Sequence, residues 1–137
     1  MIFVDTNVVS ETLRRDPVLT VLAWLVRHDA ELALSTVVVG EIAFGIEKIR
    51  FEERSARLAA GLTSWRERFA DRIFLFTEAA ALAYGTIMAT ALRSGRPMSV
   101  ADGMIAAIAV VNGGQLATRN VADFSTTALR ITSPWEA

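Results

Sequence analysis

The chain opens on three apolar residues, Ile2-Phe3-Val4, and breaks at once into the polar run Asp5-Thr6-Asn7. A short, uniformly apolar run reads as a buried strand, and Asp, Thr and Asn are N-cap residues, so a helix over roughly Val8 to Arg15 is predicted next. Pro17 is placed to open a second helix, carrying Val21, Leu22, Trp24 and Leu25. Leu32-Ala33-Leu34 reads as another buried strand, after which Ser35 or Thr36 caps a helix to about Arg50. From Glu52 to Phe69 the pattern is the most clearly amphipathic of the chain, with Leu58, Leu62, Trp65 and Phe69 at helical spacing. Ile73 to Phe76 is a third strand, and Thr77 caps an Ala-rich helix to about Arg93. The turn Ser94-Gly95-Arg96-Pro97 leads to a helix that starts at Ser99 and stops at Asn112-Gly113-Gly114. Leu116-Ala117-Thr118 and Leu129-Arg130-Ile131 are the last short strands.

Strands therefore alternate with helices, and the strands are apolar on both faces. That combination predicts an α/β fold of three layers, an α/β/α sandwich around a short, mostly parallel, Rossmann-like central sheet. In such sheets ligands bind at the carboxyl ends of the strands. With 137 residues, no repeat and no linker, one domain over residues 1–137 is expected.

Composition narrows the chemistry. The absence of cysteine excludes disulfides and thiolate metal sites. Hydrophobic residues make up 53%, above the usual range, which calls for a tightly filled core or a surface that needs a partner. The net charge of −1 excludes a broadly basic nucleic-acid binder, so any RNA contact must come from a local patch. Every basic residue but Lys48 is Arg; base composition of the genome accounts for that, and Arg also suits bidentate contact with phosphate. Met1 runs straight into the first strand with no basic leader, and Met104 to Val111 is too short to cross a bilayer. A soluble, cytoplasmic protein without a membrane partner is expected.

Four acids fall at one predicted edge of the sheet. Asp5 follows the first strand and Asp123 follows the fourth, within Thr118-Arg119-Asn120-Val121-Ala122-Asp123. Glu41 lies about two turns into the helix after the second strand, among Val37-Val38-Val39-Gly40 and Ile42-Ala43-Phe44. Asp102 lies in the first turn of a helix that continues Met104-Ile105-Ala106-Ala107-Ile108-Ala109, apolar nearly all round and so buried. Carboxylates near buried elements are costly, and several together repel; a divalent cation relieves both costs, and hard oxygens favour Mg²⁺ or Mn²⁺. Each acid also has an ordinary use: Asp5 as an N-cap, Ser99-x-x-Asp102 as a capping box, Glu41 paired with Arg50 or another arginine, Asp123 capping a turn. Four acids at one edge ask more of that explanation than any one does. His28 is the only histidine and sits in the polar helix end Arg27-His28-Asp29, so a Ser-His-Asp or histidine acid–base site is poorly supplied. A carboxylate-held metal needs no such base.

At this point the residues resemble a known family. Ile2-Phe3-Val4-Asp5-Thr6-Asn7-Val8, Ser35 to Ile42, Ala101-Asp102-Gly103-Met104-Ile105-Ala106-Ala107 and Ala117 to Phe124 look like the PIN-domain toxins of type II toxin–antitoxin modules, the VapC group and its FitB-like branch. The closing Pro134-Trp135 is similar to that branch too. The resemblance covers essentially the whole chain, in order and spacing. It implies a Mg²⁺-dependent endoribonuclease with Asp5, Glu41, Asp102 and Asp123 as catalytic and metal-binding residues, Mn²⁺ being a plausible substitute. It also implies a homodimer, an RNA substrate, and a small cognate antitoxin that inhibits the site. Thr6 and Thr118 look like the family's supporting hydroxyls. Many VapC proteins carry an Asp where this chain has Asn120, so Asn120 and Asp123 compete for the fourth place. Arg119 or Arg96 is placed to steer the phosphate backbone.

Rival readings meet specific obstacles. A haloacid-dehalogenase-type phosphatase needs an Asp where Asn7 stands, and a response-regulator receiver needs a lysine near the last strands, whereas Lys48 is early. A DNA nuclease would need extra duplex-binding elements. A non-catalytic PIN-like module binding RNA or protein remains the alternative. Trp24, Phe44, Trp65 and Phe69 read first as core and second as an interface.

Overall fold

The computed structural model describes residues 1–137. The central sheet holds five short strands, β1 (Ile2–Val4), β2 (Leu32–Ser35), β3 (Ile73–Phe74), β4 (Gln115–Ala117) and β5 (Ile131–Thr132). Their order is β3-β2-β1-β4-β5, and every neighbouring pair is parallel. Six helices flank the sheet: α1 (Thr6–Thr12), α2 (Leu19–His28), α3 (Thr36–Lys48), α4 (Arg54–Arg68), α5 (Glu78–Arg93) and α6 (Val100–Val111). The predicted sandwich with a parallel sheet is the observed one. No helix is long and apolar enough to cross a membrane.

The strands are buried on both faces, as their unbroken apolar runs require: Phe3, Val4, Leu32, Ala33, Leu34, Leu116 and Ala117 are all sealed from solvent. α6 is the most buried helix, with Gly103 and Ile105 to Ala109 inside. Gly113 then adopts φ 65° and lets the Gly114 N–H reach back 2.9 Å to the Ala109 carbonyl, which ends the helix. Gly114 lies so close to Phe3 that a Cβ would meet the ring at 2.9 Å, which brings the α6–β4 connection down onto β1.

Sequence order decides where the site falls. The chain leaves β1 towards β2 on one side, and β4 later adds on the other side of β1. The crevice beyond the carboxyl ends of β1 and β4 is thus the switch point of the sheet, where doubly wound folds bind ligands. Asp5 and Thr118 are the residues that step out of those two strands. Side-chain caps start the flanking helices: Asp5 for α1, Ser35 for α3, Thr77 for α5 and Ser99 for α6.

Element ends differ from the predicted ones for reasons of contact. α1 starts at Thr6, directly behind its cap, and stops at Thr12 instead of reaching Arg15, because the Glu11 carboxylate accepts a 3.0 Å bond from the Val18 N–H and turns the chain back. α2 begins at Leu19 after Val18, so Pro17 precedes the helix and does not open it. β3 holds only Ile73 and Phe74, since it pairs with Leu34 and Ser35 and β2 ends there. β5 is shifted to Ile131–Thr132 by its pairing with Leu116 and Ala117. Trp24 and Phe69 are core and Trp65 packs against it, but Phe44 is 66% exposed, against the core reading of it.

Candidate metal and nuclease site

Asp5 is the best-anchored acid. Its residue is 5% exposed, and both carboxylate oxygens are held. Oδ1 accepts the Thr6 N–H at 2.8 Å, which is the helix cap. Oδ2 accepts the Thr118 hydroxyl at 2.7 Å and the Asn7 side-chain N–H at 3.3 Å. A carboxylate offers about four lone-pair directions, so these bonds leave room for a further ligand. The capping role and a ligand role are therefore compatible on one side chain.

Asn7 completes the link between β1 and β4. Its amide donates to Thr118 Oγ1 at 3.2 Å and its carbonyl accepts the Arg119 N–H at 3.1 Å. Thr118 Oγ1 in turn accepts the Asn120 N–H at 3.1 Å. This network fixes the segment after β4 against the start of α1. In the sequence Asn7 is a candidate cap and stands where a phosphatase would need an Asp; nothing in its local pattern says that it reaches across the sheet.

Glu41 stands on α3, whose buried residues are Val38 and Ile42, so the carboxylate projects from the exposed side. The apolar neighbourhood in sequence thus does not bury it. It accepts a hydrogen bond from the Thr6 hydroxyl rather than pairing with Arg50, which binds Glu47. Asp102 occupies the first turn of α6, where its backbone N–H donates to the Ser99 hydroxyl at 3.2 Å. Only that half of the predicted capping box forms.

Asp5, Thr6, Asn7, Glu41, Asp102 and Asn120 line one cavity of about 480 Å³, with Arg14, Arg119 and Trp135 on its walls. Asp123 is exposed on a helical turn, Val121–Phe124, pinned by the buried Phe124. It lines a neighbouring cavity of about 410 Å³ together with Arg96, Ser99 and Asp102. Asp102 thus lines both cavities, while Asn120 lines only the first and Asp123 only the second. His28 takes no part: it packs on Trp24 and bonds Glu31 at 2.9 Å.

The acids feel one another. Burial raises the Asp5 carboxyl above its ordinary range; the Thr118 and Thr6 bonds pull it down, and the charges of Glu41 and Asp123 push it up again. Burial, then the Asp5 charge, raises Asp102 to about 6, with smaller upward pushes from Asp123 and Glu41. No three of these side chains close into a ready metal cage. Glu41 instead accepts from the Thr6 hydroxyl. The donor set is nonetheless all hard oxygen, around a buried carboxylate whose charge is opposed by its neighbours, which fits a hard divalent cation.

The sequence reading also passed over Glu11, a carboxylate 3% exposed on the same cavity. Its signal was the Glu11…Arg14 spacing of three on the helix predicted to reach Arg15, although Arg14 lies just past the end of α1 in the structure.

The PIN-domain family pattern matches residues 2–128. The chain is 37% identical over 139 residues to plasmid stability protein StbB of Pseudomonas syringae pv. tomato, covering 100% of both. It is 37% identical over 138 residues to VapC ribonuclease Y4jK of Sinorhizobium fredii, covering 99% of each. Of the solved structures, FitAcB from Neisseria gonorrhoeae superposes with a TM-score of 0.89 at 34% identity over 100% of both chains.

Proposed function

The chain belongs to the PIN-domain family and is closely related to the VapC- and FitB-type toxins, and from that premise we propose that it is a Mg²⁺-dependent endoribonuclease, the toxin of a type II toxin–antitoxin module. The observation that carries this reading is the buried Asp5, tied across the sheet by Thr118 and Asn7 and sharing a cavity and a field with Glu41 and Asp102. Asp5, Glu41 and Asp102 would hold the cation, with Asp123 completing the set from the adjoining cavity. Bound there, Mg²⁺ or Mn²⁺ lowers the pKa of water and stabilises charge on phosphate oxygens.

The protein's own groups do the positioning. Thr118 and Asn7 fix the Asp5 carboxylate, and the Thr6 hydroxyl orients Glu41. Arg119, whose guanidinium lies 5.2 Å over the Trp135 ring, is placed to bind an RNA phosphate beside the acids. Arg96, with one N–H 3.4 Å from the Ala122 carbonyl, stands on the far side next to Asp123. Asn120 lines the cavity and could orient the sugar or a water there.

A small antitoxin would silence the site, in keeping with the family; the apolar cleft of about 440 Å³ between α2 and α4, with Leu22, Leu25, Trp65 and Phe69 in its lining, supports a protein partner. Exposed Phe44, Phe51, Leu82 and Leu92 support a homodimer. The protein would work in the cytoplasm, where its RNA substrates are.

The deciding experiment is cleavage of single-stranded RNA by the purified protein with Mg²⁺ or Mn²⁺, beside calorimetric titration of Mn²⁺. Folded Asp5→Asn should lose cleavage on the order of 100-fold or more, beyond the 10–100-fold typical of supporting groups. Wild-type rates in that variant would overturn the site assignment. Neither cleavage nor metal uptake by wild type would leave a non-catalytic binding module. In the same assay added antitoxin should stop cleavage, and sedimentation of the active protein should give a dimer.

A further inference from the structure

Glu11 is a charge the four-acid site does not use. It is 3% exposed at the end of α1, and burial alone would raise its carboxyl. The Val18 N–H at 3.0 Å and the Arg14 guanidinium more than offset burial, and the carboxyl is lowered overall, so Glu11 is an anion. A buried anion is costly unless paired. Its partner is Arg14, whose Nη1 donates to both Glu11 oxygens at 3.2 and 3.3 Å. The arginine is bound by that one nitrogen, and its side chain stays 59% exposed. The rest of its donor fork is free towards solvent.

The position of that fork is informative. Arg14 lines the acid cavity and also a second one, of about 340 Å³, between α1, α3 and α4. The two share Thr6, Ser10, Arg14 and Glu41, so they adjoin and line up as one track along the surface. Beyond Arg14 the track runs past Arg57 and Arg54 of α4, of which Arg54 is paired with Glu52 at 3.1 Å. On a molecule of net charge −1, this is a local line of cations leading to the carboxylates.

Resting on the ribonuclease reading, we propose that Glu11 is a positioning residue that holds Arg14 as a phosphate contact, directing the RNA strand from the α4 side into the acid cavity. A free surface arginine would spend much of its time elsewhere; a buried anion beneath it keeps the fork at the junction of the two cavities. The plain alternative is that Glu11 only fastens the loop before α2 through Val18. Gln at position 11 separates the two, since its carbonyl can still accept from Val18 while the charge that holds Arg14 is gone.

The test is steady-state cleavage of a fluorescein-labelled single-stranded RNA, over a salt series, by wild type, Arg14→Ala, Arg14→Lys, Glu11→Gln and the Glu11→Gln/Arg14→Ala pair. Arg14→Ala should raise KM ~10-fold with kcat nearly unchanged, the size of one lost charge-assisted contact. The salt slope of log(kcat/KM) should become shallower by ~0.7, one phosphate's share for a single strand. Arg14→Lys should restore the slope, because it restores the charge. Glu11→Gln should shift KM the same way but less, and the double variant should match Arg14→Ala. Unchanged KM and slope in Arg14→Ala, in an assay where wild type cleaves, would overturn the inference alone. Additive losses in the double variant would overturn the coupling. If wild type cleaves no RNA with either metal, the ribonuclease reading fails and this inference falls with it.

Discussion

Asp5 serves as a helix cap, as the link between two strands and as the centre of an acidic field, and those duties conflict at neutral pH. Asp102 carries the clearest consequence. Its carboxyl rises from an ordinary 3.8 to about 6, chiefly through burial and then through the Asp5 charge. The folded state therefore holds this proton more tightly than the unfolded chain. Stability from this group is fully present below about pH 4, falls as pH rises towards about 6, and is absent above that. Asp102→Asn should accordingly stabilise the metal-free protein at pH 7 by about 1–2 kcal/mol, a figure reduced for solvent screening of a partly exposed group. The gain should vanish in denaturant melts below about pH 4 and, on the proposed reading of a metal-held site, shrink when Mg²⁺ is added, because wild type would then gain binding energy. A variant less stable than wild type at pH 7 without metal would contradict this. The acids stood out in the sequence because four of them fall at one predicted edge of the sheet, although each taken singly has an ordinary use. Their surroundings were less legible. Glu41 sits amid apolar residues yet is exposed, since only Val38 and Ile42 of that stretch are fully buried. Asn7 and Glu11 gave no local sign of the partners they would meet 111 and 7 positions away.

At the scale of elements, the identity of each helix and strand was readable and the ends were not. Periodicity and caps are local, so Ser35, Thr77 and Ser99 marked helix starts well. Ends are set by partners: β3 stops because β2 stops, and α1 stops because Glu11 catches Val18. The α5–α6 pair shows how an element contact supports the site. A Cβ on Gly103 would lie 2.4 Å from the Met88 sulfur and 3.0 Å from the Tyr84 ring, so this glycine lets α5 approach the turn that carries Asp102. Gly103→Ala gains up to ~1 kcal/mol of helix propensity, while overpacking costs ~1–3 kcal/mol. Net destabilisation is expected, with weaker Mn²⁺ binding as Asp102 shifts. Met88→Ala removes the nearest obstruction, so Gly103→Ala made in that background should be neutral or stabilising. Equal cost in both backgrounds, measured by urea unfolding, would show that the contact with α5 does not set the cost.

The whole molecule brings distant parts of the chain to one place. β1 opens the chain but takes the centre of the sheet, so the Asp5 cavity is complete only when β4 has docked beside it, with Thr118 bonded to an acid 113 positions earlier. No local pattern encodes that closure; it follows from the strand order. The last residues add a second closure. Ser133 and Pro134 are buried, and the turn Pro134–Glu136 packs against α2 near the start of the chain. Trp135 forms part of the cavity wall and lies under Arg119. Its indole N–H is buried without a partner, so the ring serves by its shape and its face rather than by a hydrogen bond. Trp135→Ala should lower stability by ~1–3 kcal/mol, less than a fully buried aromatic would cost. It should also raise KM for RNA, because Arg119 loses the surface it lies on. Trp135→Phe keeps a six-membered ring and gives up the smaller ring of the indole with its unpaired N–H, so it should stay closer to wild type in KM and in stability than Trp135→Ala. If thermal melts fall in Trp135→Ala while KM stays at the wild-type value, the last turn locks the fold without positioning Arg119, and the proposed phosphate contact would rest on other arginines.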